Sequence, residues 1–182
     1  LLAAHPHSKE SITKSLSRRC RAWGATNSCV ARLYDRAHGG YSQGLESAFR
    51  AIHRNRTALT ERGRIFLWLA GARIALSDQQ LQKAASRFRA GINIAKRSQT
   101  ALLKLAYETY GTALYRNHSI RELKRLMAEG LKALKSKSGT SLIKLKFLAG
   151  LTSEAKRPRV LRHFLERGEL ATIVIKDMDL LR

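Results

Sequence analysis

One spacing constrains this chain more than any other feature. Ala72, Gly111 and Gly150 stand 39 residues apart, and so do Phe49, Phe88 and Met127, Leu45, Ala84 and Leu123, and Ile52, Gly91 and Gly130. A column of turn residues, Gly39, Asp78 and Asn117, keeps the same step and reaches Lys156 beside Pro158. Chance accounts for any one apolar column, but it explains poorly several core columns that agree with a turn column. A fixed step of this size is the signature of stacked helical hairpins, each too small to bury its apolar face alone. Such arrays present long surfaces that hold partners.

The helical period within each step fills in the elements. Val30, Leu33 and Tyr34 predict a helix over about 27 to 37, stopped by His38, Gly39 and Gly40. Ser42 is the expected N-cap of the next helix, which carries Leu45, Ala48, Phe49 and Ile52. Ile65, Trp68, Leu69, Ala72, Ala75 and Leu76 form the next pattern, a break follows at Ser77 and Asp78, and Leu81, Ala84, Phe88 and Ile92 resume it. Leu103, Tyr107, Tyr110, Gly111 and Leu114, a break at Asn117 and His118, then Ile120, Leu123, Met127 and Leu131 repeat the scheme. A fourth unit opens with Leu142, Leu145, Leu148 and Ala149 and becomes atypical from Pro158 to Phe164. The expected organisation is a basic extension over 1–26, an all-α repeat domain over 27–169 with units at about 27–60, 61–99, 100–138 and 139–169, and an extended tail over 170–182.

Within the second unit, Trp68, Gly71, Ala72, Ala75, Ala84, Phe88 and Gly91 occur in an order that resembles the tetratricopeptide repeat. Tyr107, Tyr110, Gly111, Leu114, Leu123, Met127 and Gly130 resemble it in the third. The family's unit is about 34 residues, so this chain departs in length, with the additional residues after the second helix of each pair. The resemblance covers about 27 to 153 and implies stacked antiparallel hairpins in a right-handed superhelix, an α-solenoid with a concave groove. Small residues are expected where paired helices cross closely, with an aromatic filling the gap to the next unit. Arrays of this kind bind proteins, and some related ones bind RNA.

Charge then narrows the partner. Thirty-five Lys and Arg against 13 Asp and Glu give +22, and bases outnumber acids in the extension and in each of the four units. So unbalanced a domain repels itself, and a polyanion that neutralises it is the expected companion. Basic residues recur where one unit hands over to the next: Arg54 and Arg56, Lys96 and Arg97, Lys135 and Lys137. Stacked along one edge, these pairs would track a phosphate backbone without reading sequence. Cations at helix C-termini also complement the helix dipole and need no partner for it. Arg87 and Arg89, with Lys124 and Arg125, are expected on a second, solvated basic face. Lys156, Arg157, Arg159 and Arg162 form a denser run beside a helix-disrupting proline and suggest a loop that grips backbone, while Arg18, Arg19 and Arg21 belong to a basic arm. Trp23 and Tyr41 are candidates for stacking on splayed bases, or for cap and core positions.

Catalysis has little to build on. The acids are scattered, no glycine-rich phosphate loop occurs, and no nucleophile, His and acid form a local signature. His5 and His7 have no further ligand at metal spacing, and Cys20 and Cys29 are too far apart for a zinc knuckle. The chain is expected not to be an enzyme and to need no metal, cofactor or small-molecule substrate. Two cysteines do not make a disulfide framework, so free thiols in a reducing compartment fit. The Ser-, Lys- and Arg-rich stretch at 8–21 resembles an organelle-targeting segment, and the start at Leu1 suggests a processed product. No stretch is long and apolar enough to span a bilayer. The β-branched run Thr172, Ile173, Val174 and Ile175 suits a neighbouring protein, because Asp177 and Asp179 make the tail the least basic part of the chain.

These features predict an RNA-associated scaffold in a large ribonucleoprotein such as a mitochondrial ribosome, holding rRNA by its basic edges and neighbouring proteins by its groove. Two other readings are a protein-binding adaptor whose groove takes an acidic peptide or helix, and a regulatory repeat domain cut from a longer chain.

Overall fold

The computed structural model describes residues 26–38, 44–98, 100–135, 142–153 and 157–166. Among these, the chain is all helical. Eight α-helices follow one another: α1 (Asn27–His38), α2 (Leu45–Arg54), α3 (Glu61–Ser77), α4 (Leu81–Ala95), α5 (Thr100–Arg116), α6 (Ile120–Lys135), α7 (Ile143–Leu151) and α8 (Arg157–Glu166), with a short 3-10 turn at Arg56–Ala58. The chain divides into two compact units, Leu1–Leu102 and Leu103–Arg182, and the division falls in the first turn of α5.

In the first unit, α3 is the central helix. Thr60 caps its start by accepting from the Gly63 amide at 3.1 Å and donates its own hydroxyl proton to Asn27 Oδ1 at 3.1 Å, which sets the beginning of α1 beside the beginning of α3. Further along, the Tyr34 ring meets Phe66 edge-on at 4.9 Å, so α1 and α3 run in the same direction. Helix α2 runs the other way: Phe49 lies against Gly71, and His53, one turn later, lies edge-on to Trp68, one turn earlier, at 4.8 Å. Helix α4 runs with α2, because Arg87 reaches the Gly71 carbonyl at 2.7 Å while Gly91 faces Trp68.

A helix flanked on several sides must be apolar on several faces. Leu67, Ala70 and Ile74 of α3 join Val30, Leu33, Leu45, Ala48, Phe49 and Ile52 in one buried cluster, and the Leu69 side chain and the Ile65 carbonyl lie against Gly91 of α4. Each fully buried Leu or Ile contributes about 1.5–3 kcal/mol. Leu81, expected in the core, is instead 49% exposed at the first position of α4, where the chain leaves the turn.

One polar assembly ties α2 to α4. Arg87 donates from Nη1 and Nη2 to the two Glu46 oxygens at 2.9 and 2.7 Å, and its guanidinium lies 4.1 Å from the centre of the Phe49 ring. Lys83 adds a contact to Glu46 at 2.9 Å and Arg50 another at 3.3 Å. Burial pushes the Glu46 carboxyl upward, but the Arg87 and Lys83 cations outweigh it and hold it at about 2 instead of the usual 4.5. Arg87 is therefore a buried, fully engaged side chain and does not belong to the solvated basic face expected of it.

In the second unit, α5 and α6 pair antiparallel, with Gly130 against Tyr107 and Gly111 against Met127. Both tyrosines are buried, and their hydroxyls donate to carboxylates on α6, Tyr107 to Glu129 at 2.9 Å and Tyr110 to Glu122 at 2.5 Å. Leu148 of α7 also reaches Gly111, and Val160 of α8 packs on Gly150. Pro158 occupies the second position of α8, where its missing N–H is one that no helical carbonyl would have accepted. From Arg157 onward, the stretch expected to be a proline-disrupted loop is thus a helix with the proline in its first turn.

The ends of α3 and α5 are closed by the same set of bonds. Gln79 donates to Leu76 O and Gln80 to Ala75 O; thirty-nine residues on, His118 donates to Tyr115 O and Ser119 to Leu114 O. Gln79 and His118 sit at φ 58° and 54°, the left-handed position of this closing motif, which glycine occupies most easily. The start of α2 differs from expectation. Gly44, at φ 76°, precedes Leu45 without a side-chain cap, and Ser42 lies outside the described residues.

Candidate nucleic-acid interface

Level by level across the first unit, Phe49, Gly71 and Arg87 lie together, as do His53, Trp68 and Gly91. The C-terminal ends of α2 and α4 therefore fall at one end of the unit, together with the beginning of α3. Arg54 closes α2 and Arg56 lies in the turn after it; Lys96 and Arg97 follow α4 directly, and all four are exposed. Two of the handover pairs are thus brought to the same end of one unit. Arg56 also donates to the His53 carbonyl at 3.2 Å, so part of its role is to close the last turn of α2.

Between the start of α3 and the end of α4 the same end opens into a cleft of about 430 Å³ lined by Glu61, Arg64, Asn93, Ile94 and Arg97. The Arg64 Nε is buried and makes no hydrogen bond. Arg97 and Asn93 stand exposed at the margin, while Glu61 occupies the first turn of α3, where the helix dipole favours a carboxylate. Arg64, Asn93 and Glu61 were not singled out from the sequence. The signal was present in the hairpin itself: residues equidistant from the turn at Asp78–Gln80 face one another, which sets Arg64 opposite Ile94 and Glu61 opposite Arg97.

Other arginines of this unit are occupied by aromatic rings. Arg73 lies 5.5 Å from the Tyr34 ring centre and Arg62 5.7 Å from that of Phe66. His53 stacks on Phe49 at 5.5 Å, and burial, followed by the Arg56 and Arg87 cations, holds its imidazole below the usual 6.5.

In the second unit, Lys135 is exposed at the end of α6, and Arg159 and Arg162 are exposed on α8 with Arg157 half-buried at its start. Gly111, Met127 and Leu148 share a level about 12 Å along α6 from Lys135, and α8 meets α7 two residues beyond Leu148, at Gly150. Arg157 and Arg159 thus enter the unit near that level and not beside Lys135. Arg18, Arg19, Arg21, Lys137, Lys156 and the tail residues Thr172, Ile173, Val174 and Ile175 lie outside the described residues, as do Trp23 and Tyr41.

Cys29 is a buried free thiol. Among the described residues, no group of His, Cys, Asp and Glu is placed to hold a metal ion, and no helix is long and apolar enough to cross a membrane. Neither family models, curated proteins nor solved structures give a match to this chain.

Proposed function

We propose that the chain is a non-catalytic, RNA-associated scaffold, a structural component of a large ribonucleoprotein such as a mitochondrial ribosome. In this reading the helices continue as a right-handed, tetratricopeptide-like superhelix whose basic edges hold rRNA phosphates and whose groove holds neighbouring proteins. The observation that carries it is the pairing of +22 net charge with the exposed Arg54, Arg56, Lys96 and Arg97 at one end of the first unit. The identical closing bonds of α3 and α5, one sequence step apart, support the repeat on which the edge depends. The mitochondrial setting rests on the basic, Ser-rich stretch at 8–21 alone.

Native purification with and without ribonuclease tests this reading. RNA should co-purify with the chain and be lost, with most bound proteins, after ribonuclease. Bound proteins that survive both ribonuclease and high salt, with no RNA present, would favour a groove that takes an acidic peptide or helix.

A further inference from the structure

The cleft at the start of α3 brings two arginines, a carboxamide and an apolar wall together. Arg64 brings a buried guanidinium nitrogen without a hydrogen-bond partner, and an orphaned donor of a charged group is costly unless something accepts from it. Arg97 brings a second guanidinium to the same walls, Asn93 a carboxamide able both to donate and to accept, and Ile94 an apolar surface. Glu61 is the single acid, so the cleft keeps an excess of positive charge. About 430 Å³ lies at the small end of the range for ligand sites and suits one nucleotide.

We propose that this cleft binds a nucleotide phosphate, held by the Arg64 and Arg97 guanidiniums, with the nucleoside against Ile94 and its polar edge toward Asn93 and Glu61. The source is one residue of a single RNA strand. Arg54 and Arg56 stand at the same end of the unit and would carry the adjoining phosphates. Paired guanidiniums suit this chemistry because their forked donors match phosphate oxygens. Asn93 and the Glu61 carboxylate would give the site a base or ribose preference that a row of lysines lacks. That the occupant belongs to a strand rests on the RNA reading above; that the cleft takes a phosphate ester does not.

The test uses the full chain and reads the Arg64 Nε–H resonance during titration with octauridylate, adenosine 5′-monophosphate or adenosine, alongside octauridylate affinity of the unmodified chain and Arg97→Ala. Arg97 is exposed, so its truncation leaves the core intact. The expected result is that octauridylate and the monophosphate shift the Arg64 resonance, adenosine leaves it in place, and Arg97→Ala weakens octauridylate about five- to tenfold. Salt-sensitive octauridylate binding with an unmoved Arg64 resonance and an Arg97→Ala effect within about twofold would overturn the cleft and leave the RNA reading standing. A response to the monophosphate without octauridylate binding would keep the phosphate site and overturn the strand as its source. No response to either ligand would overturn both.

Discussion

Gln79 and His118 hold the same left-handed backbone conformation, thirty-nine residues apart, each at the close of the first helix of a hairpin. In both turns this residue donates to the carbonyl three positions back, and its successor donates to the carbonyl five positions back. A side chain in this region costs about 1–2 kcal/mol, so neither residue is there for its own conformational ease. Gln79→Gly and His118→Gly should each stabilise the chain by about 0.5–1 kcal/mol, after subtracting the greater freedom glycine gains when unfolded. Chemical denaturation of the two variants checks this, and a loss of stability in either would show that its turn is held by the side chain.

The Glu46–Arg87 pair gives the first unit an acid-sensitive clasp. Because the folded-state value of Glu46 lies near 2 and its usual value is 4.5, the contribution is fully present above 4.5 and disappears as pH falls toward 2. With partial solvent screening the linkage amounts to about 1–2 kcal/mol. Glu46→Gln should remove most of that pH dependence, whereas Arg87→Met should cost more, about 2–4 kcal/mol, since it strips the bidentate donor from Glu46, leaving only Lys83 and Arg50, and removes the side-chain donor to the Gly71 carbonyl. Thermal denaturation at pH 3 and pH 6 distinguishes the two variants.

His53 acts in the opposite pH range from Glu46 but with the same sign. Its folded-state value is depressed, so the unfolded chain takes up the proton first, and stability falls as pH drops below about 6.5. His53→Phe, which keeps a ring between Phe49 and Trp68, should flatten the stability profile between pH 5 and 7 as followed by thermal melting.

Two glycines of one repeated pattern should respond oppositely to alanine. At Gly71 an added methyl group would collide with the Phe49 ring, whereas at Gly91 it would meet Trp68 Cβ at 3.4 Å and Leu69 Cδ2 at 3.5 Å, ordinary contact distances. Gly71→Ala should cost about 1–3 kcal/mol, and Gly91→Ala should gain about 0.5–1 kcal/mol from helix propensity. Equilibrium unfolding of both variants tests the contrast.

The limits of sequence reading follow from where these residues sit. The pattern Leu45, Ala48, Phe49 and Ile52 marks the buried stripe of α2 because a helix with one covered face leaves a clean period. On α3 the residues Ile65, Leu69, Ala72 and Ala75 were legible as core, but Leu67, Ala70 and Ile74, equally buried, were not, since a helix covered on several sides shows no single stripe. Arg87 looked like a solvated cation because its partner, Glu46, stands forty-one positions earlier and only packing brings them together. Pro158 suggested a break because position within a helix decides whether proline disrupts or begins it, and that position depended on a boundary the apolar period did not mark. The same holds for the cleft: Arg97 stood out as one of a repeated pair, whereas Arg64 and Asn93 acquire meaning only when α3 and α4 face each other.

Salt dependence of RNA affinity measures the proposed role most directly. Phosphate contacts release counterions, so the logarithm of the affinity for a generic single strand should fall linearly with the logarithm of salt concentration, with a slope of about −0.7 for each contact. Between about 50 and about 200 mM salt the basic edge predicts a steep loss of affinity, and exchanging Arg54 and Arg56 for glutamine should make the slope shallower. Binding that is absent at low salt, or that stays constant across this range, would contradict an RNA-holding scaffold.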